Sequence, residues 1–170
     1  MILTRATDII VDGSAPPETL DMSGIDSVII AKCNNNLFRN EQIDSENVPS
    51  FQGLEHLNTA KFISVNTGKN KRRSLERLTC THTLQSMSIE YGNIGDYDAI
   101  SRCISLSNLA IGRGPAPNFK SWSKLPLTVL KFWNYCSFTE LEDMAYLSKL
   151  SNVMIGACQK FERFRGDNSL

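Results

Sequence analysis

Leu106-Ser107-Asn108-Leu109-Ala110-Ile111 spells apolar-x-x-apolar-x-apolar, and the chain repeats that phrase over residues 84–89, 127–132 and 150–155. The lead leucines, Leu84, Leu106, Leu127 and Leu150, lie 22, 21 and 23 residues apart. Self-similarity at a fixed period of roughly 20–50 residues marks stacked repeats, in which each unit buries the apolar face of its neighbour. Inside each phrase the pairs Met87/Ile89, Leu109/Ile111, Leu130/Phe132 and Val153/Ile155 flank one residue free to point the other way. That period of two predicts a half-buried strand. The question for such a chain is which surface it displays.

Between the strands the pattern changes. In 96–104 and 139–147 apolar residues recur at three- and four-residue spacing, which predicts one or two helical turns. Asp96 is the expected N-cap of the first, and Thr139 with Glu142 resembles a capping box for the second. The short link 119–125 predicts a tight or 3₁₀ turn. Upstream, Leu57-Asn58-Thr59-Ala60-Lys61-Phe62 and Ile25-Asp26-Ser27-Val28-Ile29-Ile30 fit the same phrase, at longer intervals of 27 and 32 residues. The reading is one repeat domain over 1–170, with about six rungs in 25–170 and an N-terminal cap in 1–24 that includes a strand at Ile9-Ile10-Val11.

A strand and a short return segment every 22 residues or so resembles the leucine-rich repeat family. The likeness rests on the strand phrase and the period. The family's Asn or Cys at the ninth place is met by Cys158 alone among the last four phrases, against Gly92, Gly114 and Tyr135, and by Cys33 after the Ile25 phrase, while its apolar eleventh place is met by Ile94 but not by Ala116, Ser137 or Lys160. The resemblance implies an α/β solenoid: an irregular leucine-rich-repeat-like coil with a parallel sheet on one face and short helices or 3₁₀ turns on the other.

Lysine plus arginine and aspartate plus glutamate number 18 each, so the net charge is zero. A dedicated nucleic-acid binder neutralises many phosphates, and this balance disfavours one. The first residues form no signal peptide, and no apolar run reaches the ~20 residues of a membrane span. A cytoplasmic location is expected, with no membrane partner. The five cysteines, at 33, 80, 103, 136 and 158, are odd in number and scattered, and read as reduced thiols.

Chemistry is sparse. Cys80-Thr81-His82 lacks the second ligand pair of structural zinc, and His56 is the only other histidine. Cys103, Cys136 and Cys158 sit where stacked repeats place small core groups. Gly92, Gly95, Gly112 and Gly114 have no phosphate-loop context. No catalytic residue, metal, cofactor or small-molecule substrate is expected. Lys69-Asn70-Lys71-Arg72-Arg73 is the one basic cluster and reads as a solvated loop in the longer repeat.

The informative side chains are those expected to face outward from the strands: Lys61, Ser88, Glu90, Lys131, Trp133 and Met154, with Tyr91, Asn134 and Tyr135 just beyond the strand ends. Tryptophan and tyrosine are enriched among residues that dominate binding energy. The expectation is a non-catalytic protein-binding module. A short repeat protein without an effector domain resembles the small immunity proteins encoded beside bacterial contact-dependent and other polymorphic toxins. That likeness implies a partner that is a cognate toxin, such as a nuclease, neutralised by covering its active site. A scaffold or regulatory subunit is the alternative. RNA binding through 69–73, Lys160, Arg163 and Arg165 is the weaker one, because no aromatic residue interleaves the basic cluster.

Overall fold

A computed structural model describes residues 8–12, 27–31, 58–66, 72–90, 93–112, 114–133 and 136–166. Seven strands form one parallel sheet: β1 (Asp8–Asp12), β2 (Ser27–Ala31), β3 (Phe62–Asn66), β5 (Ser86–Glu90), β7 (Asn108–Ile111), β8 (Val129–Trp133) and β10 (Asn152–Gly156), side by side in chain order. Two small parallel pairs join β4 (Arg72–Ser74) to β6 (Asn93–Asp96) and β9 (Glu140–Glu142) to β11 (Arg163–Arg165). Among the described residues the remaining regular elements are 3₁₀ turns at Asp98–Arg102, Phe119–Trp122 and Met144–Tyr146.

Register follows the repeated phrase. Ile63, Met87, Leu109, Leu130 and Val153 pair in one cross-strand row, and Val65, Ile89, Ile111, Phe132 and Ile155 in the next. Both rows point into the core. They are buried from Ile63 to Phe132, and only Val153 and Ile155, on the terminal strand, remain half-exposed. The lead residues Leu84, Leu106, Leu127 and Leu150 are buried beneath the strand starts.

A backbone ladder fixes this register. The carbonyl of Gln85 accepts from the amides of Ser107 (2.9 Å) and Asn108 (3.1 Å), that of Ser107 from Thr128 (2.9 Å) and Val129 (3.1 Å), and that of Thr128 from Ser151 and Asn152 (3.0 Å each). The hydroxyls of Ser107, Thr128 and Ser151 donate to the same three carbonyls at 3.1–3.2 Å. Each such bond contributes about 0.5–1.5 kcal/mol net. A one-residue slip would break the ladder and turn the apolar rows outward.

Four expectations need correction. The segments between strands are 3₁₀ turns, one of the two forms expected of the return face, and the four-residue helical spacing read in 96–104 does not hold there. Tyr97, Ile100, Cys103 and Leu106 recur every three residues and are all buried, whereas Ile104, which helical spacing would turn inward, is 53% exposed. A 3₁₀ turn eclipses i and i+3, so that sequence suits it. Tyr97, not Asp96, precedes the first turn, and it makes no side-chain cap bond. Thr139–Glu142 is no capping box, because Glu140–Glu142 is β9, paired with β11. The link at 119–122 is the 3₁₀ turn expected, with Asn118 Oδ1 accepting from the Lys120 amide at 3.1 Å.

The third correction is register upstream. The phrase that pairs with Leu84–Ile89 starts at Ala60, not Leu57, so Ile63 and Val65 point inward and Phe62 faces out. The fourth concerns cysteine. Cys136 and Cys158 form a disulfide, their Cα atoms 5.0 Å apart and 22 residues apart in sequence. One repeat period separates them, so stacking brings them face to face within disulfide reach. Cys80 and Cys103 are buried free thiols. The N-terminal apolar segment is the edge strand β1, with Ile9 level with Val28 and Val11 with Ile30. Among the described residues no helix is long and apolar enough to cross a membrane.

Candidate protein-binding face

Alternation puts the other half of each strand on the sheet's outer surface. One outward row runs Phe62, Ser86, Asn108, Val129, Asn152, and the next Ser64, Ser88, Ala110, Lys131, Met154. A third row holds Trp133 beside Gly156. The sheet therefore brings Ser88, Lys131 and Met154 into one row, with Trp133 next to it. Glu90 closes β5, two positions beyond Ser88. Tyr91, Asn134 and Tyr135 lie outside the described residues. Lys61 does not join the face: it precedes β3, and its carbonyl accepts from Gln85 and Ser86 at the strand entrance. Ser64 takes the place expected of Lys61.

Sequence reasoning missed Phe62, Ser64, Ser86, Asn108 and Val129. A signal for the first two was present. Ala60-Lys61-Phe62-Ile63-Ser64-Val65 fits the phrase as well as the choice beginning at Leu57, and its interval of 24 residues to Leu84 lies nearer the period.

The face is uneven. Floor positions on β5 and β7 carry the small residues Ser86, Ser88, Asn108 and Ala110, while β8 raises Val129, Lys131 and Trp133 in succession and β3 raises Phe62. These residues bound a trough of about 340 Å³. Trp133 is 39% exposed and Met154 52%. A Cβ placed on Gly156 would meet nothing within 4 Å, so space is open beside Trp133. Lys131 is half-buried and forms no ion pair among the described residues. A partly desolvated ammonium without a counter-charge is an electrostatic demand that a ligand can meet.

Other polar groups serve the frame. Arg163 and Arg165 reach Glu140 Oε2 at 3.2 and 2.6 Å, so β11's cations are held by β9. The carbonyl of exposed His82 accepts from Ser105 Oγ at 2.7 Å. Burial pushes the Cys80 thiol up to about 11. Burial first, then the neighbouring Cys80, pushes Cys103 up to about 12, with Arg102 opposing. A nucleophilic thiol needs the reverse shift. The described residues bring together no group of three His, Cys, Asp or Glu side chains placed to hold a metal. His56 and the segment 67–71 lie outside the described residues, and of Arg72 and Arg73 only the backbone is described. No family model, curated protein or solved structure matches this chain.

Proposed function

We propose that this chain is a leucine-rich-repeat-like α/β solenoid that binds another protein through the outer sheet face and performs no chemistry of its own. Its role is that of an immunity protein, covering the active site of a cognate toxin in the cytoplasm. The observation that carries the reading is the cluster on β8 and β10: Trp133 and Met154 exposed on neighbouring strands, with a half-buried Lys131 that has no ion pair among the described residues. Large side chains of this kind form the anchors of protein interfaces, and charge around them sets partner choice. Backbone hydrogen bonds hold the strands before the partner arrives, which reduces the ordering entropy that binding costs. The Cys136–Cys158 bond is the one feature that pulls against a cytoplasmic site, because cytosolic thiols are kept reduced.

The test expresses the product of the adjacent open reading frame, which the proposal expects to be a toxin, and reads that product's own activity. Stoichiometric addition of this protein silences it. Trp133→Ala weakens the complex by more than about 2 kcal/mol, roughly thirtyfold, while the circular-dichroism spectrum is unchanged. Full inhibition by Trp133→Ala, or no inhibition by the native chain, defeats the proposal.

A further inference from the structure

We infer that the trough receives one α-helix of the partner, lying along the strands, with a carboxylate of that helix set against Lys131. This rests on the protein-binding reading above and specifies the element that binds. Its first support is shape. Phe62 and Val129 stand on strands three positions apart in the sheet, about 14 Å at the usual spacing of 4.7–4.9 Å. A helix with its side chains is about 10–12 Å across, so one helix fills the width, whereas a single strand would leave half of it empty. Direction follows from the wall. Val129, Lys131 and Trp133 are successive outward residues of β8, so the barrier runs along the strands. An element crossing the sheet would have to climb over it.

Chemistry comes from the lining. Lys131 is the one charged side chain described in the trough, and it has no ion pair among the described residues. The hydroxyls of Ser86 and Ser88 line the floor two strands away from it and keep the trough polar on that side. Asn108 turns its amide nitrogen to Ser107 Oγ at 2.9 Å. Such a site complements a carboxylate, and Trp133, Val129 and Phe62 complement apolar residues one helical turn away from it. The occupant is therefore an acidic amphipathic helix.

Two synthetic amphipathic helical peptides test this directly. They share one apolar face and differ only in carrying glutamate or lysine at its edge, and binding is read by fluorescence anisotropy. The acidic peptide binds the native chain about tenfold more tightly than its basic counterpart. In Lys131→Ala the preference falls below about twofold. Ala110→Trp fills the floor and removes binding of both peptides, and Ser88→Trp repeats this should the first variant not fold. Equal binding of the two peptides by the native chain overturns the carboxylate assignment and leaves the protein-binding reading intact. Undiminished binding to both floor variants overturns the trough. Absence of binding below about 1 mM, or tighter binding of a single-stranded oligonucleotide, overturns the inference as a whole.

Discussion

Truncating Leu109 to alanine tests the register on which every placement depends. Leu109 is 1% exposed and lies between Met87 and Leu130, both equally buried, so no side chain can swing in to fill the gap. The substitution removes three carbons, about 2.4 kcal/mol at 0.8 kcal/mol per buried group. A residual cavity of roughly 60 Å³ adds about 1.5 kcal/mol at 24 cal/mol per Å³. The expected loss is about 4 kcal/mol. Val153 occupies the same row on β10 but is half-exposed, with no further strand beyond it among the described residues. Its truncation removes two carbons from a half-wet site and leaves no closed cavity, so it costs about 1 kcal/mol. Urea denaturation followed by circular dichroism measures both, and an unchanged slope shows that the variants unfold from equally compact states. A loss for Leu109→Ala within about 0.5 kcal/mol, the range of surface sites, refutes the assignment. So does Val153→Ala costing as much as Leu109→Ala.

Reduction of the Cys136–Cys158 bond, which closes a loop of 22 residues, lowers stability by about 3 kcal/mol on loop-entropy grounds. Dithiothreitol should shift the urea midpoint of the native chain and leave that of a Cys136→Ser/Cys158→Ser variant unmoved; equal midpoints for the native chain with and without reductant would count against the link. Raising the pH destabilises the fold through Cys80 and Cys103. Their unfolded thiols ionise near 9 while the folded ones hold their protons to about 11 and about 12, so the stabilisation is whole below pH 9 and declines as pH rises from there toward 12. Cys80→Ala/Cys103→Ala should flatten that alkaline decline in denaturation profiles, and an unaltered profile refutes the cause. The Tyr97 hydroxyl is buried with no hydrogen-bond partner among the described residues, so Tyr97→Phe leaves stability unchanged or raises it by up to about 1 kcal/mol. A loss beyond about 1 kcal/mol in thermal melts shows that the hydroxyl has a partner.

The sheet was legible because period two and a repeat near 22 residues are both first-order patterns of apolar residues. Leu84, Leu106, Leu127 and Leu150 set the beat, and the strands that follow them pair in the expected order. The return segments were misread because 3 and 3.6 are close periods over one turn. Tyr97, Ile100, Cys103 and Leu106, and again Leu141, Met144, Leu147 and Leu150, recur every three residues without a break. That strict spacing is the 3₁₀ signature, and longer runs would have been needed for an α-helix to show its drift. Upstream the error came from preferring leucine as the lead residue. Ala60, buried at 1%, fills that place with less volume, and moving the start by three residues exchanged Phe62 with Ile63 between faces. The trough was not legible at all, because it depends on small residues of β5 and β7 standing beside large ones of β8, a comparison across strands rather than along one.

The same row logic explains where covalent and ionic links sit. A strand inside a parallel stack buries its apolar row against a neighbour on each side, and Met87, Leu109 and Leu130 all do so. Among the described residues β10 has a neighbouring strand on one side, and Val153 and Ile155 remain half-wet there, beside Phe161 and Phe164. Such a turn gains less from burial per residue while losing the same backbone entropy, and left alone it would fray. Described links join it to its neighbour: Cys136 to Cys158, and Arg163 and Arg165 to Glu140, one repeat interval apart in sequence. Met154, on the face that carries Trp133, belongs to this turn. Its position on the outer face therefore depends on links made outside the strand, and if that face binds a partner as proposed, Cys136→Ser/Cys158→Ser should weaken binding in a titration without any contact at the trough being changed.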